Sequence, residues 1–124
     1  LEGLGMGLDI VGSDINRYVS YKGRQNIAHF GFDPMRITKK DIHDITAHYD
    51  VCILDVPYGV YAPFTIEEQI DLIHEAYRIA DRLVVITHVL LNEAIARIGF
   101  TITAQCTYTK GQFTRYISLC EKEA

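Results

Sequence analysis

Short apolar runs alternate along this chain with longer stretches in which apolar residues recur every three or four positions. Leu8-Asp9-Ile10-Val11-Gly12-Ser13 reads as a strand ending at Asp14, and residues from Arg17 to Phe30 as a helix that Gly31 closes as a C-cap. Met35 to Thr38 is predicted as a short strand and Val51 to Leu54 as a central, buried one. Thr65 caps the next helix, with Glu68 three residues on completing a capping box, and Ile66, Ile70, Ile73 and Tyr77 recur at helical spacing. Leu83 to Thr87 is a fully apolar strand, and Leu90 to Ile98 a helix that Gly99 ends. Thr101 to Thr109 and Gln112 to Cys120 alternate as two strands about the turn Lys110-Gly111. Strand-helix repetition that finishes in an antiparallel hairpin predicts an α/β fold, a doubly wound, mostly parallel sheet with helices on both faces.

Composition narrows the picture. The chain has 124 residues, 48% of them hydrophobic and 23% charged, which predicts a single domain that spans 1–124 and is small for a complete α/β enzyme. No apolar run approaches the roughly 18 residues needed to span a membrane, so the expectation is a soluble, cytoplasmic protein without membrane contact. Cys52, Cys106 and Cys120 lie far apart in apolar runs and read as reduced core thiols. His29, His43, His48, His74 and His88 show no ligand spacing with cysteine or carboxylate, and no metal site is expected. Twelve basic and sixteen acidic residues give a net charge of −4, which does not suggest an autonomous nucleic-acid-binding surface.

The candidate chemistry sits at strand ends. Asp55-Val56-Pro57-Tyr58-Gly59 directly follows the apolar run Val51 to Leu54, where open α/β sheets bind ligands. Asp14, in Gly12-Ser13-Asp14-Ile15-Asn16, fits an acid that accepts hydrogen bonds from ribose hydroxyls; it equally fits a cap for the following helix. Asp41, just past the third predicted strand, reads either as a partner for an adenine amino group or as a solvated loop acid. His88 follows the strand Leu83 to Thr87, where it would line a pocket or serve a capping or structural role.

Taken together, these segments resemble the second half of the class I, S-adenosylmethionine-dependent methyltransferase signature, with an Asp-Pro-Pro-Tyr-like motif. They are most similar to the RNA guanine-N2 methyltransferase group, in which the catalytic domain follows an RNA-binding THUMP domain. The ending Phe113-Thr114-Arg115-Tyr116-Ile117 is similar to that group's final strand. The resemblance implies a Rossmann-like methyltransferase fold and methyl transfer to an exocyclic amine, guanine N2 of tRNA or rRNA, the RNA being gripped mainly by another domain. Adenine N6 in DNA or RNA, or a protein glutamine amide, are alternative acceptors, and a non-catalytic scaffold is the reading from another class. Asp55, Val56, Pro57 and Tyr58 would surround the amine, and Asp14, Ile15, Asp41, Ile42 and Asp55 would hold the cofactor, S-adenosylmethionine. Positioning dominates this chemistry: Asp55 and the Val56 carbonyl would orient the amine, and Tyr58 would stack on the base.

Two departures stand out. Val56 occupies a position where the family has Pro. Gly3-Leu4-Gly5-Met6-Gly7 invites assignment as the cofactor's glycine-rich loop, but Gly7 and Asp14 are seven positions apart, whereas a loop, a helix and a strand need about 20. With Leu rather than Met in first position, the expectation is an N-terminally truncated domain that lacks its first strand and glycine-rich loop. The strands flanking the missing one would then keep unpaired edges.

Overall fold

A computed structural model of the chain describes Met6 and residues 10–14, 17–56 and 65–122. Within it the chain divides into two compact units, Leu1–Ile45 and Thr46–Ala124.

In the first unit, β1 (Gly12–Asp14) runs parallel to β2 (Ile37–Lys39), with Gly12 beside Ile37, Ser13 beside Thr38 and Asp14 beside Lys39. Between them runs α1 (Arg17–His29), ended by Gly31, whose φ is 85° and whose N–H donates to the Ala28 carbonyl. Ile27 of α1 is fully buried. The strand expected at Met35 to Thr38 begins later, because Asp33 caps a 3-10 turn over Pro34–Arg36 and its side chain accepts from the Met35 N–H at 2.9 Å. Proline at the first position of that turn favours helical φ and cannot donate to a ladder.

The second unit is a four-stranded sheet in the order β3-β4-β6-β5, made of β3 (Tyr49–Asp55), β4 (Ala80–Thr87), β5 (Phe100–Lys110) and β6 (Phe113–Lys122). The β3–β4 pair is parallel, while β6 is antiparallel to both of its neighbours. The order, with the last strand inserted between β4 and β5, follows from the crossover through α2 (Ile66–Ile79) and the tight β5–β6 hairpin.

Thr65 begins α2 with the expected capping box: its hydroxyl accepts from the Glu68 N–H at 3.1 Å, and the Glu68 carboxylate accepts from the Thr65 N–H at 3.4 Å. Gln69, Ile73, Ala76 and Ile79 are the buried positions of α2, whereas Ile66 at its start is exposed. The helix passes straight into β4 at Ala80, so the strand starts three residues before Leu83. Leu90 and Leu91 precede α3 (Asn92–Ile98) instead of opening it. Gly99 ends α3 at φ 122°, and a Cβ there would meet the Tyr77 ring at 2.9 Å, so both conformation and space select glycine. The closely packed Tyr77 meets Phe100 edge to face at 5.1 Å and carries Lys122 Nζ 4.6 Å from its ring centre.

Cys52, Leu54 and Val56 share a sheet face with Leu83, Val85 and Thr87 and, on β6, with Ser118 and Cys120. On this face Val56, Leu83, Val85, Thr87, Ser118 and Cys120 are buried, and α2 and α3, which pack on each other, cover it. The opposite face carries Val51, Ile53 and Asp55, and Ile53 is 72% exposed. The hairpin turn lies at Gly111-Gln112, one residue later than expected, with Gly111 at φ 62°. All three cysteines are free thiols. Cys120 is buried and Cys52 half-buried, but Cys106 is exposed and is no core thiol, because it pairs with Ile117 on the sheet face opposite the one that α2 and α3 cover. No helix among the described residues is long and apolar enough to cross a membrane.

Candidate active site

Asp14 and Asp55 each end a parallel strand within their own unit, and Asp41 follows the end of another. Asp14 is the last residue of β1, beside Lys39 at the end of β2. Asp41 follows two positions beyond Lys39, at the start of the 3-10 turn Ile42–Asp44. Asp14 thus ends one strand, and Asp41 follows two residues past the end of its neighbour.

Asp41 is neither a bare loop acid nor an uncommitted acceptor. Its Oδ1 accepts from the His43 backbone N–H at 3.0 Å and also meets His43 Nδ1. The backbone donor, followed by the imidazole contact, holds the Asp41 carboxyl below the usual carboxylate range. A carboxylate offers about four acceptor sites, so bonds to Oδ1 still leave Oδ2 able to receive an amino group. The turn therefore fixes a solvent-facing carboxylate that keeps a second oxygen able to accept. Ile42, half-buried, lies at the next position.

In the second unit, Asp55 is the last residue of β3, exposed and beside Ile86 of β4. Val56 extends the pairing by one step: its N–H donates to the Ile86 carbonyl at 2.9 Å, and its side chain is 1% exposed. This accounts for valine at the position. A proline there has no N–H to donate and would leave the Ile86 carbonyl without that partner. What the sequence suggests as a loss of rigidity is replaced by a different anchor, a ladder hydrogen bond plus a buried side chain. Pro57, Tyr58 and Ile15, like the Gly3 to Gly7 segment apart from Met6, lie outside the described residues.

Asp55, Ile86, Ile117 and Cys106 stand side by side across β3, β4, β6 and β5. Beyond that row β4 runs one residue further, to Thr87 beside Tyr116, and the β5–β6 hairpin continues past it. His88, just after β4, lines an open cavity of about 650 Å³ with Tyr108, Lys110, Phe113 and Arg115 of the hairpin. The turn that carries His88 is fixed by the Thr87 hydroxyl, which donates to the Val89 carbonyl at 2.7 Å. Reading by sequence leaves His88 between a pocket and a capping or structural role, places Lys110 in the hairpin turn and treats Tyr108 and Arg115 as ordinary strand. The only signal was their alternation with threonines, which assigns them to one face without saying what that face meets.

No protein-family model and no curated protein matches this sequence. Solved structures do match it in fold. Magnesium protoporphyrin IX methyltransferase from Synechocystis PCC 6803, solved with bound SAM, superposes with a TM-score of 0.77 at 17% identity, over 96% of this chain and 62% of that one. The same enzyme with bound SAH gives 0.75 at 15% identity, over 96% of this chain and 67% of that one. A protein of Pyrococcus horikoshii, provisionally described as an RNA methyltransferase, gives 0.74 at 18% identity, over 96% and 64%. The chain thus spans less than two thirds of the length of the first and third of these structures, and its fold is that of the Rossmann-like methyltransferases.

Proposed function

We propose that this chain is the catalytic part of an S-adenosylmethionine-dependent methyltransferase that acts on an exocyclic amino group of a nucleic-acid base, guanine N2 in tRNA or rRNA. The observation that carries the reading is Asp55 at the carboxyl end of parallel β3, held from behind by the buried, hydrogen-bonded Val56. The fold supports methyl transfer, but its neighbours do not choose the acceptor: one is a porphyrin methyltransferase and another is provisionally assigned to RNA. The choice of a base amine rests on Asp55-Val56-Pro57-Tyr58.

Asp14 and Asp41 are the residues that would hold the cofactor's ribose and adenine, and Ile15, Ile42 and Asp55 are assigned to the cofactor with them. The donor set fits: carboxylates at strand ends match hydroxyl and amino donors. When bound, S-adenosylmethionine supplies an electrophilic methyl group. Asp55 accepts a hydrogen bond from the target amine, orients its lone pair and favours the positive charge that grows on nitrogen. The Val56 carbonyl accepts a second bond, and Tyr58 stacks on the base. RNA would be held mainly by another domain.

Isothermal titration with S-adenosylmethionine, followed by transfer of labelled methyl to unmodified tRNA and rRNA fragments, tests the reading. Asp55→Ala is expected to lower turnover about 10²-fold, the effect of removing one preorganised polar partner. The outcome that would sink it is a folded chain, extended upstream by about 30 residues to supply a strand and loop, that binds no cofactor.

A further inference from the structure

We infer that the tip of the β5–β6 hairpin is a contact for single-stranded RNA that leads the strand toward Asp55. Its direction toward a catalytic residue rests on the methyltransferase reading, whereas its binding does not. Tyr108 pairs directly with Arg115, and Lys110 with Phe113. Side chains alternate across a strand, so Tyr108 and Lys110 share one face of β5, and directly paired residues share a face across strands. The four therefore form a two-by-two array in which each aromatic ring lies beside a cation along its strand and across from one on the other.

Tyr108 is 56% exposed and Phe113 60%. Single exposed aromatics are ordinary. Two aromatics interleaved with Lys110 and Arg115 around a cavity of about 650 Å³ match the way proteins hold single-stranded nucleic acid, with rings that stack on bases and cations that meet the backbone. Among the described residues no salt bridge involves Lys110 or Arg115. The net charge of −4 therefore conceals a locally basic tip. An acidic peptide would satisfy the cations but leave the rings without planar partners, which favours the nucleic acid.

Register ties the array to Asp55. Asp55, Ile86 and Ile117 are on one face, and Arg115, two residues from Ile117, is on that face too. Two strand spacings and two residues of rise separate Asp55 from Arg115 by roughly 12 Å. That is a span of about three to four stacked nucleotides, so a strand held at the tip can present a base at Asp55.

Fluorescence anisotropy with a fluorescein-labelled oligouridylate of about 12 nucleotides tests the contact, with S-adenosylmethionine titrated into the same proteins. Tyr108→Ala and Phe113→Ala should each weaken oligouridylate binding about tenfold, and Tyr108→Trp should retain it. Lys110→Ala and Arg115→Ala should each reduce the slope of log affinity against log salt by about 0.7. The contact is overturned if the chain does not bind oligouridylate, if all four alanine variants bind it as the parent does, or if polyglutamate displaces it from the parent as readily as from Tyr108→Ala. Oligouridylate bound through these residues by a chain that binds no cofactor would support the contact and count against the methyltransferase reading. Cofactor binding with none of the four substitutions affecting oligouridylate would do the reverse.

Discussion

The two units divide both the stability and the candidate chemistry unequally. The second contains nearly all of the apolar core, from Val56 through Ile73, Leu83, Val85 and Ile95 to Phe100 and Cys120. In the first, Ile27 is the one buried apolar side chain among the described residues. The putting together of Asp55 and its anchor Val56 relies on the well-packed unit, whereas Asp14 and Asp41 are carried by a three-residue strand pair and capped turns. Asp55 is thus carried by a well-packed sheet, whereas the positions of Asp14 and Asp41 depend on local hydrogen bonds. Cooperative stability tracks buried apolar contact, so the two units should fail under different stresses.

The largest expected effect is on the second unit. Phe100→Ala removes a fully buried ring packed on Tyr77 and should lower stability by about 3–5 kcal/mol in chemical denaturation. Hydrogen exchange would sharpen the comparison, with β3 and β4 amides losing protection; if only α1 amides lost it, the assignment of the core would be wrong. Next comes Val56→Pro, which deletes the donor to Ile86. It should cost about 1–3 kcal/mol, the penalty for an unpaired buried carbonyl, and a gain in melting temperature would break the account of the anchor.

A smaller effect is expected in the first unit. Asp41→Ala removes the cap of the turn Ile42–Asp44 and should cost about 0.5–1 kcal/mol at neutral pH. Because the Asp41 carboxyl is held below its ordinary value in the folded chain, its contribution is present above the unfolded pKa of about 3.9. That contribution is lost as pH falls through the lower folded value. Stability curves of parent and variant should therefore converge in acid; a constant gap would mean that the carboxylate charge is irrelevant to the cap. The last test leaves stability untouched and compares covered and open parts of the second unit. Burial pushes the Cys120 thiol up to about 11 and raises Cys52, while Cys106 is exposed. A thiol reagent at neutral pH should label Cys106 first and Cys120 last, and the opposite order would contradict the assigned faces.

Much of this was legible from the sequence where local rules decide. The Thr65–Glu68 capping box, the Gly31 and Gly99 stops and the hairpin near Gly111 depend on hydrogen bonds and dihedral preferences within a few residues. The apolar run before Asp55 likewise marked a strand end. Positions that depend on what lies across the sheet were not legible. Cys106 reads like Cys120 in sequence, yet one is exposed and the other buried, because only pairing with β6 and coverage by helices distinguish them. Ile66 fits the helical stripe but lies at its open end.

The sequence by itself determined the order of elements, the Thr65–Glu68 cap, the Gly31 and Gly99 stops, and the placing of Asp14 and Asp55 at strand ends with Asp41 just past one, since all of these follow from periodicity and short-range chemistry. Only the tertiary structure decided that Val56 is held by an N–H that proline lacks, and that Tyr108, Lys110, Phe113 and Arg115 share a face with Asp55. Both depend on the register between strands distant in the chain, and register is set by the packing of a whole sheet face.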